Sequence, residues 1–489
     1  MPDPSAIDGK LAPPDEHAGV LVIGAGPAGT AAAIAAAEAG EQVVLVDENP
    51  VDPGLMGHDT PLWYGARMTA AVQRPERLVE QLAAANPALE AAMMLGVDVR
   101  LGVTAWGLYA PGPALRGLPA AMVGLADAER AWMCGFDRLV LATGARDVAI
   151  AFRGWDQPGV MGANGLHELV QRYDAFDGRR IAVLGSGALG LRTALDAKAR
   201  GLEVVAIVEV LGAPQGPPDL LAEVAAANIP VLAGHAPLRA EGGASGVERL
   251  VLRAPDGLET SLGCDTVCLA VGLAPAIELL QSAGGAIVSD GGRGGHAPAL
   301  DGAATSLVNV SAVGDCAGPA LDHDAWAYQA AWLAALQGAA DPSLIICQCE
   351  AVTRGDIIEV RAPRYLGPPT ERSRARSLGT LIADGPVNQD QIKRLTRACM
   401  GVCQARRCRE QVALILAEAA GVAPQDVPLA GFRAPVRPLP LAVIADWNET
   451  EAMRDGWEIW MAIPGQWAPY ADIGTEREFA LLGGGSARR

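Results

Sequence analysis

Short, unbroken apolar runs recur along the chain, each followed by a glycine-rich turn and a helix of small residues. Residues 20–23 (V-L-V-I) lead into G-A-G-P-A-G at 24–29 and an alanine-rich stretch ending near Gly40. A second run at 42–46 ends in Asp47 and Glu48. Apolar runs this short, bounded by glycine, read as strands buried on both faces. The same unit returns at 181–184, with G-S-G-A-L-G at 185–190, a helix to Gly201, and a run at 204–208 ending at Glu209. Further strands are predicted at 98–101, just before Val103, at 138–141, entering L-A-T-G, and at the start of S-A-V-G-D (311–315). The predicted class is α/β, with two Rossmann-like dinucleotide-binding units, the second inserted into the first.

Strand, glycine turn, helix, strand and terminal acid in this order form the dinucleotide fingerprint. In the first unit Gly24 permits the tight turn, Gly26 lets the backbone approach a pyrophosphate, and Gly29 allows close helix–strand packing. Pro27 and Ala28 open the helix, whose free N–H groups suit phosphate. Asp47, 18 residues after Gly29, can bond ribose hydroxyls, with Glu48 beside it. In the second unit Gly185, Gly187, Gly190 and Glu209 take these places. Glu209 favours an unphosphorylated ribose. NAD, another adenine nucleotide and an empty fold remain alternatives there.

Lys plus Arg total 38 against 56 Asp plus Glu, a net charge of −18, with half of the residues apolar. This balance argues against nucleic acid and anionic membrane surfaces as partners, and the chain can fill a large core. No membrane span or signal peptide is legible, and the expected location is cytoplasmic.

Five of the nine cysteines fall between 347 and 408, a clustering that points to metal or redox work. Cys347 and Cys349 form C-x-C; Cys403 and Cys408 form C-x4-C within T-R-A-C-M-G-V-C-Q-A-R-R-C. Four such thiolates suit one iron–sulfur cluster, with structural zinc as the alternative. Arg406 and Arg407 would help to hold the thiolate charge. Asn388 reads as a helix N-terminus, a second helix is expected over about 405–420, and 362–386 reads as a long loop. Cys264 and Cys268 bracket a predicted strand, about 13 Å apart, too far for a disulfide. Cys134 and Cys316 read as small buried hydrophobes.

The A-T-G and G-D pieces resemble the FAD domain of two-dinucleotide-fold, glutathione-reductase-like flavoproteins. The resemblance implies that Thr143 and Gly144 pack beside the cofactor. It also implies that Gly314 and Asp315 meet the ribityl chain, and that the backbone of Val103 meets the adenine. The C-x-C-E and T-R-x-x-M-G-x-C-Q-x-R-x-C motifs resemble the small [2Fe-2S] domain of bacterioferritin-associated ferredoxin. That likeness implies ligation by Cys347, Cys349, Cys403 and Cys408, with Cys399 a bystander. With D-E-N-P (47–50), L-A-T-G-A-R (141–146) and G-W-D-x-P-G-V (154–160), residues 19–441 resemble the FAD and [2Fe-2S] subunit of heteromeric opine, hydroxyproline and proline dehydrogenases. The middle subunit of hydrogen cyanide synthase and part of sarcosine oxidase α belong to the same group.

The resemblance implies a partner amine-oxidase-like flavoprotein subunit that oxidises a C–N bond. A small ferredoxin-like subunit is a further option, as is an FMN between subunits. The expected division is a disordered tail (1–18), an FAD domain (19–154 and 265–340), a second dinucleotide domain (155–264), a [2Fe-2S] domain (341–430) and an extension in contact with a partner subunit (431–489). The family's G-G-Q after D-E-N-P is replaced by a loop carrying His58, Asp59, Trp63 and Tyr64. His58 and His323, with Asp324, are weak candidates for residues facing the flavin. Trp447, Trp457, Trp460 and Trp467 would face a partner. Two rival readings remain: an NADH-dependent reductase feeding the cluster, and an iron-release partner using only the ferredoxin-like part.

Overall fold

The structure is a computed structural model describing residues 13–50, 63–64, 67–68, 77–111, 118–321, 323–337, 341–368, 370–445 and 475–477. Its first sheet contains β1 (Glu16–Ile23), β2 (Val43–Asp47), β3 (Asp98–Leu101), β4 (Thr104–Tyr109), β5 (Met122–Ala126) and β6 (Ala131–Leu141). The order is β3-β2-β1-β6-β5-β4. β1 lies parallel to β2 and to β6, pairing Val20 with Val43 and Ile23 with Leu141. Val20, Leu21 and Val22 are fully buried, as a central strand covered on both faces requires. α1 (Pro27–Glu38) turns Gly29, Thr30, Ala33 and Ala36 to the sheet, small residues that allow close packing.

β1 starts at Glu16, inside the stretch expected to be tail. Its polar start is satisfied across the sheet: Glu16 accepts from Arg100 at 2.7 Å and from the Trp132 indole at 2.8 Å.

After β6 the chain leaves through β7 (Ala145–Asp147) for a second, wholly parallel sheet. This sheet holds β8 (Val160–Gly162), β9 (Arg180–Leu184), β10 (Glu203–Val208), β11 (Val231–Leu232) and β12 (Thr266–Leu269), in the order β8-β12-β9-β10-β11. α2 (Ala188–Ala199) follows the second glycine turn. The sheet therefore extends to Leu269, beyond the boundary at 264 expected from the sequence. A three-stranded antiparallel layer (236–263) packs with it. The chain returns through Leu273–Pro275, which pairs antiparallel with β7. Val310–Ala312 then joins the far half of β6, so the first sheet gains a parallel strand late in the chain.

The cysteine-bearing region is helical. Asn388 caps α3 (Gln389–Thr396), accepting from the Asp390 N–H at 2.8 Å. α4 (Arg409–Ala420) is buried from Arg409 through Ala417. The stretch expected as a long loop carries two short helices, Glu371–Arg374 and Leu378–Asp384. Residues 431–445, expected to face another subunit, include a segment folded back on the first sheet. There Val436 donates to the Trp106 carbonyl at 2.8 Å, and Arg437 pairs with Glu48. No helix among the described residues is long and apolar enough to cross a membrane. His58, Asp59 and the four tail tryptophans lie outside the described residues, and only the backbone of Trp63 and Tyr64, in a short strand pair with 67–68, is described.

Candidate functional site

The carboxyl ends of β1, β2, β6 and the strand at 310–312 meet on one edge of the first sheet. They carry G-A-G-P-A-G, Asp47, A-T-G and G-D to that edge, where α/β sheets bind ligands. Gly24 has φ +106°, and a Cβ there would stand 2.2 Å from the Ala142 carbonyl; at Gly29 it would stand 1.8 Å from the Gly24 carbonyl. These contacts lock the turn to the A-T-G segment. At Gly26, by contrast, no described residue lies within 4 Å of where a Cβ would be. That opening, at the N-terminus of α1 beside the part-exposed Pro27 and Ala28, is the approach a pyrophosphate needs.

Asp47 is half-buried. It accepts from the Ala25 N–H at 2.6 Å and from the backbone and side chain of Asn49 at 2.8 and 2.9 Å. The carboxylate thus ties the strand end to the glycine turn. Glu48 pairs with Arg437. Val103 donates its N–H to the Asp47 carbonyl, placing it beside the same strand end. Thr143 donates to the Ala276 carbonyl at 2.8 Å, and Ala276 donates back to Gly144, so the A-T-G turn is tied to the returning chain. Gly314 packs against Ala28 at the start of α1, leaving the Asp315 carboxylate exposed beside it. These residues fit an FAD: an open glycine turn, a helix N-terminus, and an acid on either side.

The second turn repeats the scaffold. Gly185 and Gly190 press on Ala270 and on each other as Gly24 and Gly29 do with Ala142. Its ligand face differs. Gly185, Ser186 and Gly187 are buried, and a Cβ on Gly187 would stand 2.9 Å from the His323 imidazole. Glu209 is fully buried. One oxygen accepts from Ser186 Oγ at 2.6 Å, Ser186 N at 3.1 Å and Tyr328 OH at 2.6 Å, and the other from Leu211 N at 3.0 Å. His323, expected near the flavin, is therefore at the second turn. Asp324 caps the following helix (Ala325–Gln337), accepting from the Ala327 N–H at 2.8 Å.

The C-terminal cysteines form one thiol cluster. Cys347 hydrogen-bonds Cys408 and Cys349 hydrogen-bonds Cys403, while Cys408 donates to Cys399 at 3.6 Å. The hydrogen bond with Cys349 lowers the Cys403 pKa, and Arg407 adds to the effect, whereas Cys347 and Cys408 are held well above the ordinary thiol value. Cys399, a bystander in the sequence reading, touches Cys408. Among the described residues no group of three or more His, Cys, Asp or Glu side chains is placed to hold a metal ion. Four thiols in two pairs match in number the ligands a two-iron cluster would take, two per iron.

Two residues not singled out from sequence clip this region together. Buried Glu350, directly after Cys349, accepts from Arg397 Nε at 2.6 Å and Nη2 at 3.2 Å, and from the Tyr365 hydroxyl. Burial opposes ionisation of Glu350, but the Arg397 guanidinium outweighs it and holds the carboxyl below its usual range. Both residues lie in the quoted motifs, as the E of C-x-C-E and the R of T-R-A-C, which was the available signal. Arg407 donates to Gln348 at 2.7 Å, closing the same seam.

The remaining thiols suit packing. Among the nine cysteines none is in a disulfide. Burial raises Cys134 and Cys264 to about 12 and Cys316 to about 11.

An opine oxidase subunit from Agrobacterium tumefaciens (strain Ach5) is 27% identical over 88% of this chain and 92% of its own length. The alpha subunit of sarcosine oxidase from Rhizobium meliloti (strain 1021) is 32% identical over 42% of this chain, but only 20% of that longer protein is matched. Hydrogen cyanide synthase subunit HcnB of Pseudomonas aeruginosa is 30% identical over 39% of this chain and 38% of its own length. Among solved structures, L-proline dehydrogenase from P. horikoshii shares the fold, with a TM-score of 0.56 and 19% identity over 88% of this chain and 79% of that one. Residues 18–333 match the model of the pyridine nucleotide-disulphide oxidoreductases, and the chain belongs to this family of FAD-dependent oxidoreductases.

Proposed function

We propose that the chain is the FAD- and [2Fe-2S]-carrying electron-transfer subunit of a heteromeric amine or amino-acid dehydrogenase or oxidase. In this reading a partner flavoprotein subunit oxidises the C–N bond of a secondary or N-methyl amine, and this chain hands the electrons to an acceptor. An interfacial FMN and a small ferredoxin-like subunit belong to the same reading.

The observation that carries it is the thiol cluster anchored beside the A-T-G segment of the first nucleotide unit, where Arg146 donates to the Glu410 carboxylate and to the Arg406 carbonyl. Cys347, Cys349, Cys403 and Cys408 would hold the cluster; Gly26, the start of α1, Asp47 and Asp315 would hold FAD. When bound, FAD takes the two electrons of a hydride and the cluster carries one at a time. The chain's own part is positional. Asp47 fixes the glycine turn, Glu350 and Arg397 hold the two cysteine segments in register, and Arg407 places positive charge beside Cys403. The match to the opine oxidase subunit over nearly the whole of both chains supports the heteromeric reading.

Co-expression with an amine-oxidase-like flavoprotein subunit tests it: a complex with amine-dependent acceptor reduction is expected, and the single chain should give none. A chain that purifies with zinc and no iron would refute the cluster.

A further inference from the structure

The two glycine turns share a scaffold and differ in what stands in front of them. At the first, the approach to Gly26 is open among the described residues. At the second, three sets of groups from this chain occupy the positions a dinucleotide would need. The His323 imidazole lies where a pyrophosphate would approach Gly187. The Tyr328 hydroxyl and the Ser186 hydroxyl and N–H place three donors on Oε2 of Glu209, the carboxylate that would bond the ribose, and the Leu211 N–H places one on Oε1. The loop after β10 closes the remaining side. Gln215 donates to Ser186 Oγ at 3.0 Å, and a Cβ on Gly216 would sit 2.9 Å from the Ser186 carbonyl.

We infer that the second dinucleotide site of this chain is closed by its own His323 and Tyr328 and does not bind NAD or NADH. The closure is built into packed structure. The His323 and Tyr328 rings meet edge-on at 4.5 Å, and Tyr328 meets Trp332 at 6.3 Å on the same helix. Trp332 and Tyr328 are 1% and 4% exposed, so the plug is anchored in the core. A ribose could bond Oε2 of Glu209 only by breaking buried hydrogen bonds to Tyr328 or Ser186, leaving a donor unsatisfied in a buried site. A pyrophosphate could reach Gly187 only after the imidazole had moved away. The closed site also removes the NADH-dependent reductase as a rival, independently of which amine a partner subunit would oxidise.

Isothermal titration of the FAD-loaded chain with NAD, NADH and ADP tests the closure directly. The wild-type chain should show no saturable binding up to about 1 mM, and NADH should not bleach its flavin. Tyr328→Phe, which frees one acceptor position on Glu209, and His323→Ala combined with Tyr328→Phe, which also opens Gly187, should bring NAD or ADP affinity at least about tenfold within reach of the titration. Stoichiometric NAD or ADP binding by the wild-type chain would overturn the inference. So would folded, FAD-loaded single and double variants that bind no better than wild type, since the closure would then not lie in these two side chains. If the double variant fails to fold, the wild-type titration decides it: no saturable binding of NAD, NADH or ADP upholds the closure, and stoichiometric binding overturns it. None of these outcomes depends on the thiol cluster or on a partner subunit.

Discussion

Arg146 donates to both carboxylate oxygens of Glu410, at 2.7 and 2.8 Å, across 264 residues of sequence. Arg146 stands just after the A-T-G turn; Glu410 stands two residues after Cys408, at the start of α4. The same guanidinium donates to Glu278 at 2.9 Å and to the backbone carbonyl of Arg406, inside the C-x4-C segment. One buried cation therefore joins the first nucleotide unit, the returning chain and the thiol cluster. Burial opposes the Glu410 charge, but the Arg146 guanidinium outweighs it and keeps the carboxyl ionised. Gln411 accepts from the Ala151 N–H and Arg409 donates to Gln281 at 2.6 Å, so the whole polar start of α4 is spent on docking.

Arg146→Met would leave two carboxylates buried without their cation. Breaking such a pair costs about 3–5 kcal/mol. The urea midpoint should fall accordingly, and proteolysis should release the C-terminal helices first. Unchanged stability would mean that the docking rests on α4's apolar packing alone.

The first glycine turn separates folding from cofactor binding. Gly26 has φ −71°, an ordinary extended conformation, and open space in front of it, so Gly26→Ala should fold normally and purify with much less FAD. Gly29→Ala drives a methyl into the Gly24 carbonyl and should lose folded protein instead. Full FAD occupancy in Gly26→Ala would move the flavin away from this turn.

The cysteines give a ligand test. Cys403→Ser should lose iron and the broad visible absorbance of the cluster while keeping FAD, because Gly26 and Asp47 lie in another unit. Cys399→Ser should keep both. Loss of iron in Cys399→Ser would exchange Cys399 for one of the four assigned ligands, a result its contact with Cys408 makes worth checking.

His296 should make the stability pH-dependent. Burial lowers its pKa to about 4, and the Arg409 charge adds to this, with Glu410 opposing. The folded pKa lies below the unfolded value of about 6.5, so the unfolded chain binds more protons between those values. The stability from keeping His296 neutral is complete above about pH 6.5 and is lost as pH falls toward 4, reaching about 2 kcal/mol by pH 5. Comparing unfolding midpoints at pH 7 and pH 5 should show a smaller drop for His296→Gln than for wild type. Parallel profiles would contradict the assignment.

What the sequence made legible was local. Strand, glycine turn and helix are contiguous, so G-A-G-P-A-G, its flanking runs and Asp47 could be placed from residue order alone. The thiol set was legible for the same reason, through C-x-C-E and T-R-x-x-M-G. What escaped depends on residues far apart in the chain. Nothing near Tyr328 announces that its hydroxyl reaches Glu209, 119 residues away. A fingerprint acid reads the same whether its oxygens face a ribose or a tyrosine. The polar start of β1 looked like tail because its partners, Arg100 and Trp132, come from other strands. Thr266–Leu269, within the stretch expected for the FAD domain, joins the second sheet instead, because an apolar tetrad carries no information about which neighbour it pairs with.

As proposed above, this chain carries electrons for a partner subunit and does not itself oxidise the amine. The decisive measurement is the visible spectrum of the purified FAD-loaded chain mixed anaerobically with sarcosine, L-proline or an opine. The flavin of the chain alone should not bleach, and one of these amines should bleach it only after a second flavoprotein subunit has been co-purified with it. Bleaching or steady turnover of any such amine by the single chain would make this subunit the catalyst and overturn the proposal.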